Sequence, residues 1–197
     1  MQLAAMQLGW MVAVGIVVLL AVFATAMASY FVGLHSDLVA LRSECDRQFA
    51  KVDVLLKERH DELPGLIATC RDHVRDEQGI LEAIVDARTA YLRASTIEQK
   101  TGADKRMSGA LKALFAVAEN HPQVKADANF TQVRERITAL EERIAGQRLA
   151  YNQTVNEYNR RLARVPSNFV AALGHFTPWP LYPVPEAARK DVNESFA

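Results

Sequence analysis

The sequence predicts an all-α protein in which an N-terminal transmembrane helix is followed by an elongated antiparallel up-and-down helical bundle. Two observations support this prediction. Residues 1–34 carry no charged side chain and are mostly apolar. Beyond them, apolar residues recur at spacings of three and four, which puts them on one stripe of each helix. A helix with one apolar stripe buries that stripe against other helices, so a bundle follows.

Composition narrows the class of protein. The 197 residues include 23 basic and 23 acidic side chains, interleaved along the chain, which argues against a nucleic-acid partner. This length suits one domain with an appendage. The two cysteines, Cys45 and Cys70, match no zinc or redox spacing. We interpret them as thiols in a helix core or on a helix surface, and their pairing state is open.

Residues 8–32 are the predicted contact with the lipid bilayer. This run exceeds the roughly 20 apolar residues that cross a membrane, and Trp10 and Tyr30 suit its two interfaces. A cleaved signal peptide is the alternative, because small residues at 24–28 resemble a cleavage site. Signal peptides have a basic n-region and a shorter apolar core, and this segment has neither. We therefore predict an uncleaved, single-pass anchor.

The charges that flank the anchor predict its orientation. No basic side chain precedes it, whereas Arg42, Arg47 and Lys51 follow it. Basic residues next to a membrane span favour the cytoplasmic side. The N-terminus is therefore predicted outside and the bundle in the cytoplasm.

The first soluble stripe is predicted to continue the anchor helix, because neither Gly nor Pro occurs between Leu34 and Leu63. Pro64 and Gly65 are expected to kink or break this helix, since proline cannot donate to the i−4 carbonyl. A helical pattern then resumes as far as Tyr91. Arg88 lies at the edge of that stripe, where we expect a buried stem and a hydrated guanidinium. The first stripe consists of Leu38, Leu41, Cys45, Phe49, Val52 and Leu56.

The second half of the bundle contains the longest amphipathic stretch. Residues 95–102 are interpreted as a polar connection, and a helix is expected from about Ala103 to Ala118. The long helix spans residues 130–165, with Asp127 or Asn129 as its N-cap and Pro166 as its end. Its stripe consists of Phe130, Val133, Ile137, Leu140, Ile144, Tyr151, Val155, Tyr158, Leu162 and Val165.

The composition of the chain changes after Pro166. Four prolines alternate with aromatic residues there, which excludes one continuous helix. We expect Phe176, Trp179 and Tyr182 to lie along the bundle or to reach the membrane interface. The predicted domains are therefore an anchor at 1–34, a helical bundle at 35–168 and a Pro/aromatic-rich tail at 169–197.

No catalytic, cofactor-binding or metal-binding residues are predicted. The five histidines show no spacing typical of metal ligands, and no nucleophile or phosphate-loop motif occurs. The segment His60–Glu62 is the densest polar cluster. It is either a partial metal or proton-transfer site, with His73 as a further candidate ligand, or a solvated helix end, which we favour. Glu141 and Glu142 are interpreted as a solvated surface.

A Tyr-Asn dipeptide repeats one heptad apart, at Tyr151-Asn152 and at Tyr158-Asn159. These residues could form a polar ladder that recognises a partner. Alternatively, buried hydroxyl and amide groups could hydrogen-bond within the bundle and fix the helix register. We favour the second interpretation, because buried polar groups need partners wherever they lie.

Segments that include Val52–Leu66, Glu142–Arg148 and the two Tyr-Asn dipeptides occur in the order and spacing of a known family. Through these segments the chain resembles the LemA family of bacterial proteins. The resemblance covers nearly the whole chain after the anchor, with departures at Phe49, where the family usually has Trp, and at Gly65, where it usually has Asn. The resemblance implies a membrane-anchored up-and-down bundle at the bacterial inner membrane. It does not imply any catalytic activity, because the family supplies no catalytic residues to compare. The matching segments are Val52–Leu66, Leu81–Arg88, Ala118–Pro122, Glu142–Arg148, Tyr151-Asn152, Tyr158-Asn159 and Pro166–Asn168.

These observations lead to one main hypothesis and two alternatives. The main hypothesis is a non-enzymatic, membrane-tethered scaffold that binds an unidentified protein partner at the cytoplasmic membrane surface, without a cofactor. The first alternative is a structural protein whose heptad stripe forms a homo-oligomer that organises the membrane. The second alternative, an enzyme, is disfavoured because no positioned nucleophile, base or metal set is visible.

Overall fold

The computed structural model describes residues 2–71 and 78–183, and every regular element in these ranges is a helix. The predicted fold class, an apolar N-terminal helix followed by a helical bundle, is confirmed. The helices are α1 (Gln2–Cys70), α2 (Gln78–Arg93), α3 (Ile97–Glu119), α4 (Pro122–Ala126), α5 (Ala128–Ala163) and α6 (Ser167–Leu173).

The N-terminal part of α1 is long and apolar enough to cross a membrane. No residue of its most apolar window, which begins at Val14 or later, is buried by protein. Of the side chains described on this helix, Leu34 is the first that is buried. As predicted, α1 continues from the apolar segment into the first soluble stripe without interruption.

The chain divides into two compact units. The first contains the residues up to Glu44 together with Glu157–Pro178, and the second contains Cys45–Asn156 together with the chain from Trp179 onward. In the first unit, the buried apolar side chains come from α1, α5 and α6 and include Leu38, Tyr158, Leu162 and Val170.

In the second unit α1 and α5 run antiparallel. Gln147 donates to Gln48 at 2.7 Å, Arg143 pairs with Glu58 at 3.1 Å, and Arg136 pairs with Glu62 at 3.5 Å. The core of this unit joins the end of α1 to α2, α3, α4 and the start of α5. Its buried members are Leu63, Leu66, Cys70, Ile84, Ala87, Met107, Leu111, Leu114, Ala118, Val124, Phe130 and Ile137.

Both cysteines lie in this second unit. Cys45 and Cys70 are buried thiols and do not form a disulfide. Burial raises the pKa of the Cys70 thiol to about 11, which keeps it in the unreactive protonated form at neutral pH.

Two helix boundaries differ from the predictions. The predicted polar connection at 95–102 is wrong, because α3 already begins at Ile97. Thr96 accepts the Gln99 N–H at 3.2 Å and the Gln99 side chain accepts the Thr96 N–H at 3.3 Å, which forms a capping box. At the other end, α5 stops at Ala163, so Val165 lies beyond the helix and is 68% exposed.

The N-cap of α5 is Asp127, one of the two predicted residues. Its carboxylate accepts the backbone N–H groups of Asn129 at 2.7 Å and Phe130 at 3.1 Å. These groups have no partner inside the helix, so the carboxylate satisfies them and also faces the positive end of the helix dipole.

Pro64 does not break α1, which continues six residues further to Cys70. Proline removes the N–H that would bond the carbonyl of His60, four residues earlier. Arg88 of α2 supplies a replacement donor, because its Nε lies 3.4 Å from that carbonyl oxygen. The guanidinium of Arg88, predicted to be hydrated, therefore satisfies a backbone group that Pro64 leaves without its usual partner.

This replacement leads to a testable prediction for Arg88→Met. We expect the substitution to lower the free energy of unfolding by about 1 kcal/mol, because a part-buried carbonyl loses its donor. In a Pro64→Ala background the residue at 64 regains its N–H, so the same substitution should have a smaller effect. A double-mutant cycle by chemical denaturation measures this coupling, and equal effects in both backgrounds would contradict the assignment.

Candidate functional site

The most polar part of the second unit's interior is centred on Arg59, on the apolar stripe of α1. Its side chain is fully buried, which arginine tolerates only when it is paired. Nη2 lies 2.6 Å from Asp104 Oδ1, and Nη1 pairs with Glu141 and donates to Ser108 Oγ at 3.1 Å. One guanidinium thus connects α1, α3 and α5.

Asp104 of α3 is the second centre of this network. It is 1% exposed, and its Oδ2 pairs with Arg148 of α5 and accepts the hydroxyl of Tyr182. Arg148 also lies over the Tyr182 ring, 4.8 Å from its centroid. Burial, and next the Asp104 charge, raise the pKa of Tyr182 well above its usual range, so the hydroxyl remains a donor.

We call the set Arg59, Asp104, Ser108, Glu141, Arg148 and Tyr182 the Arg59 centre. Its two guanidinium groups and two carboxylates balance in charge. Buried charges are tolerated when they are paired and hydrogen-bonded in this way. The centre therefore fixes three helices and the C-terminal segment to one another inside the second unit.

His60 adjoins the Arg59 centre. It is 1% exposed and stacks on Tyr91 of α2 with ring centroids 4.0 Å apart. Neither ring nitrogen has a hydrogen-bond partner among the residues that the structure describes. Burial, and next the Arg59 charge, lower the pKa of His60 to about 4, so the imidazole is neutral at pH 7.

A second ion pair lies beside this stack. The Tyr91 hydroxyl donates to the Asp53 carboxylate at 2.7 Å, and Lys100 pairs with the other Asp53 oxygen at 2.6 Å. Burial, and next the bond to Asp53, raise the pKa of Tyr91 above its usual range. Tyr91 is therefore a permanent donor that ties α2 to α1.

These positions correct two interpretations of the sequence. His60 is not at a solvated helix end: it is buried, α1 continues ten residues beyond it, and only Asp61 in that cluster is exposed. Glu141 is not an ordinary surface carboxylate, because it is two-thirds buried against Arg59. His73, the other candidate ligand, lies outside the described residues. Within the described residues no group of acidic, His and Cys side chains is arranged to hold a metal.

The first Tyr-Asn dipeptide binds the C-terminal segment of the same unit. Asn152 Nδ2 donates to the Tyr182 carbonyl at 3.0 Å, and Asn152 Oδ1 accepts the Tyr182 N–H at 2.8 Å. The Tyr151 hydroxyl donates to the Pro180 carbonyl at 2.6 Å. The dipeptide therefore binds backbone groups of an extended segment of its own chain. This role is intramolecular, as in the interpretation we favour, but it holds a segment in place and does not set the register of two helices.

The first unit repeats this arrangement with different residues. The Tyr158 hydroxyl donates to the Thr177 carbonyl at 3.2 Å. On the α1 side of this unit, Arg161 pairs with Asp37 at 3.0 Å, and the rings of His35 and Phe176 lie 5.4 Å apart. Phe176 and Tyr182 thus contact helices of their own units, which is the first of the two predicted alternatives.

The fold and the Arg59 centre define a helical-bundle protein with a long apolar N-terminal helix that is compatible with a membrane anchor. A sequence model of the LemA family matches residues 48–196, and the chain belongs to the LemA family. Its similar relatives include magnetosome proteins MamQ 1 and MamQ 2 of Paramagnetospirillum magneticum, each 24% identical over 191 residues, which is 83% of this chain and 68% of theirs. Magnetosome protein MamQ of Magnetospirillum gryphiswaldense is 24% identical over 194 residues, 84% of this chain and 69% of its own.

Proposed function

We propose that this chain is a non-enzymatic, membrane-tethered scaffold that binds a protein partner at the cytoplasmic surface of the inner membrane. Residues 8–32 are the proposed bilayer contact. The observation that carries the proposal is the contrast along α1: no residue of its most apolar window is buried by protein, while the later stripe is buried in a bundle. Exposed apolar helices of this length are typical of segments that cross a bilayer.

The Arg59 centre supports a structural role and not a catalytic one. Arg59 and Asp104 are almost wholly buried, and Arg59 Nη2 and both Asp104 oxygens are directed at side chains of the same centre. A reacting group needs an accessible position beside a cleft. The centre instead joins helices, which gives the body fixed surfaces on which a partner could assemble.

A groove between the end of α1 and α2 is the proposed partner surface. Two adjoining depressions of about 370 and 330 Å³ share Ile67, Arg71 and Val85 in their walls. Val85 is 47% exposed, and Arg71 and Asp86 supply both signs of charge. An apolar floor with charged margins suits an amphipathic segment of another protein.

Site-specific photo-crosslinking of the full chain in native membranes tests this surface. We expect a crosslinker at position 85 to capture one protein reproducibly, and the same crosslinker at Val54 to give no such product. Val54 is a suitable control because it is also an exposed valine of the second unit. Capture of lipid alone at position 85 would contradict the scaffold proposal, as would release of the chain from membranes without detergent.

Self-association is the second candidate function. Val54 on α1 and Leu149 on α5 are large apolar side chains that are more than half exposed. Exposed apolar residues of this kind can form a seam between copies of a chain. Crosslinks at position 54 between copies, with concentration-dependent oligomers in sedimentation of the detergent-solubilised chain, would favour this function over the scaffold.

A further inference from the structure

The first unit carries a second amphipathic surface, at the end of α5 and along α6. We call residues 160–173 the α5–α6 corner. Val165, Phe169 and Leu173 are 68%, 59% and 82% exposed, and they follow one another at intervals of four. Residues four apart lie on the same face of a helix, so Phe169 and Leu173 share one face of α6.

Basic side chains adjoin this apolar face. Arg160 and Arg164 are exposed, and Arg161 is partly exposed and paired with Asp37. They line a cleft of about 880 Å³ whose only acidic members among the described residues are Asp37 and Glu157. Glu157 lies three residues before Arg160 on α5, whereas Arg164 lies seven residues after Glu157 and next to α6 in the sequence.

Contacts with α1 give the level of the corner along that helix. Among the α1 side chains that the structure describes, Leu34 is the first that protein buries, whereas Val32 is 66% exposed. Arg161 meets α1 at Asp37, and Phe176 meets it at His35. At about 1.5 Å per residue, Asp37 lies only about 5 Å beyond Leu34 along the helix axis. The chain from Arg161 to Phe176 therefore turns back where the uncovered apolar segment ends.

We propose that the α5–α6 corner lies in the bilayer surface and binds anionic phospholipid, with Phe169 and Leu173 among the upper acyl chains and the arginines at the headgroup phosphates. This inference rests on the proposed anchor. Two observations support it separately. The corner contacts α1 close to the end of the apolar segment, and it combines an apolar face with arginines, as interfacial helices do. Arginine suits phosphate oxygens because its donors form a planar fork.

A fluorescent probe on the corner tests the proposal in the full-length protein. Leu173→Cys, labelled with the polarity-sensitive dye NBD, is placed in nanodiscs of phosphatidylglycerol and phosphatidylcholine that contain a shallow doxyl-labelled lipid. Labelling is selective because both native thiols are buried. We expect strong doxyl quenching, since interfacial helices sit about 5–10 Å into the headgroup boundary. The control is Ser43→Cys, at an exposed position of α1 in the same unit and about 14 Å beyond Leu34 along the helix axis, and it should remain unquenched.

The charge requirement is tested by Arg160→Gln combined with Arg164→Gln, which leaves the Arg161–Asp37 pair intact. We expect the ratio of docked to undocked corner, measured from the quenched fraction, to fall about tenfold in this variant. The reason is that each arginine strengthens attachment to an anionic surface. Discs of pure phosphatidylcholine should give a similar loss. Equal quenching of the variant and the parent would overturn the proposed lipid recognition.

Failure of the corner and failure of the anchor give different results. If the chain enters the discs but NBD at position 173 responds to aqueous iodide and not to doxyl lipid, the corner proposal is wrong and the anchor stands. If NBD is shielded from both quenchers, a protein surface covers the corner and the lipid proposal is likewise wrong. If the chain does not enter the discs at all, the proposed membrane tether is wrong and the corner proposal fails with it.

Discussion

Replacing Arg59 with Met is expected to lower the free energy of unfolding by about 3 kcal/mol, because removal of one partner leaves buried charges without compensation. This value is at the lower end of the usual range for two reasons. Asp104 retains Arg148 and the Tyr182 hydroxyl, and the Glu141 side chain is 32% exposed and can regain water. Chemical denaturation of the detergent-solubilised chain, followed by circular dichroism, measures the change.

The matched control is Arg143→Met, which removes an ion pair between the same two helices at the surface. Arg143 lies 3.1 Å from Glu58, but both side chains are about half exposed. Exposed pairs contribute only about 0–1 kcal/mol, so this variant should unfold almost like the parent. If Arg59→Met and Arg143→Met had equal effects, burial would not be the source of the stability that we assign to the Arg59 centre.

Arg59 shows how far the sequence could predict this centre. It lies three residues after Leu56 and four before Leu63, both buried, so it occupies a slot of the apolar stripe. Asp104 occupies such a slot on α3, three residues before Met107. A charged residue in a core slot is a signal for a buried ion pair, because an isolated charge would be too costly there. The predicted stripes omitted Arg59 and Asp104, although the spacing of both residues fits them.

The partners of these residues could not be predicted in the same way. Whether Arg59 meets Asp104 depends on the rotation and stagger of α3 against α1, which helical spacing on one chain segment does not determine. The position of Tyr182 is harder still, because an extended proline-rich segment has no periodicity to interpret. By contrast, the Thr96–Gln99 capping box follows a local pattern and was predictable from the sequence.

Acidification is expected to destabilise the fold between about pH 6.5 and pH 4 through His60. Burial is the largest cause of its low pKa, about 4 in the folded chain; Arg59 and Arg88 act in the same direction, and Asp104 and Asp61 oppose them. In the unfolded chain the pKa of histidine is about 6.5, so across this window the unfolded state holds a proton that the folded state excludes. The free energy of unfolding therefore rises with pH over this range. The stability that neutral His60 contributes is fully present above pH 6.5 and absent below about pH 4.

The size of this effect is about 3 kcal/mol, because each pKa unit corresponds to about 1.4 kcal/mol. His60→Phe preserves an aromatic ring against Tyr91 and removes the titrating group. We expect denaturation at a series of pH values to give a smaller slope of unfolding free energy against pH between pH 4 and pH 6.5. The decrease should correspond to about one proton, whatever the stability of the variant at pH 7. An unchanged slope in His60→Phe would mean that carboxylates alone cause the acid sensitivity and that the folded protein admits a proton at His60.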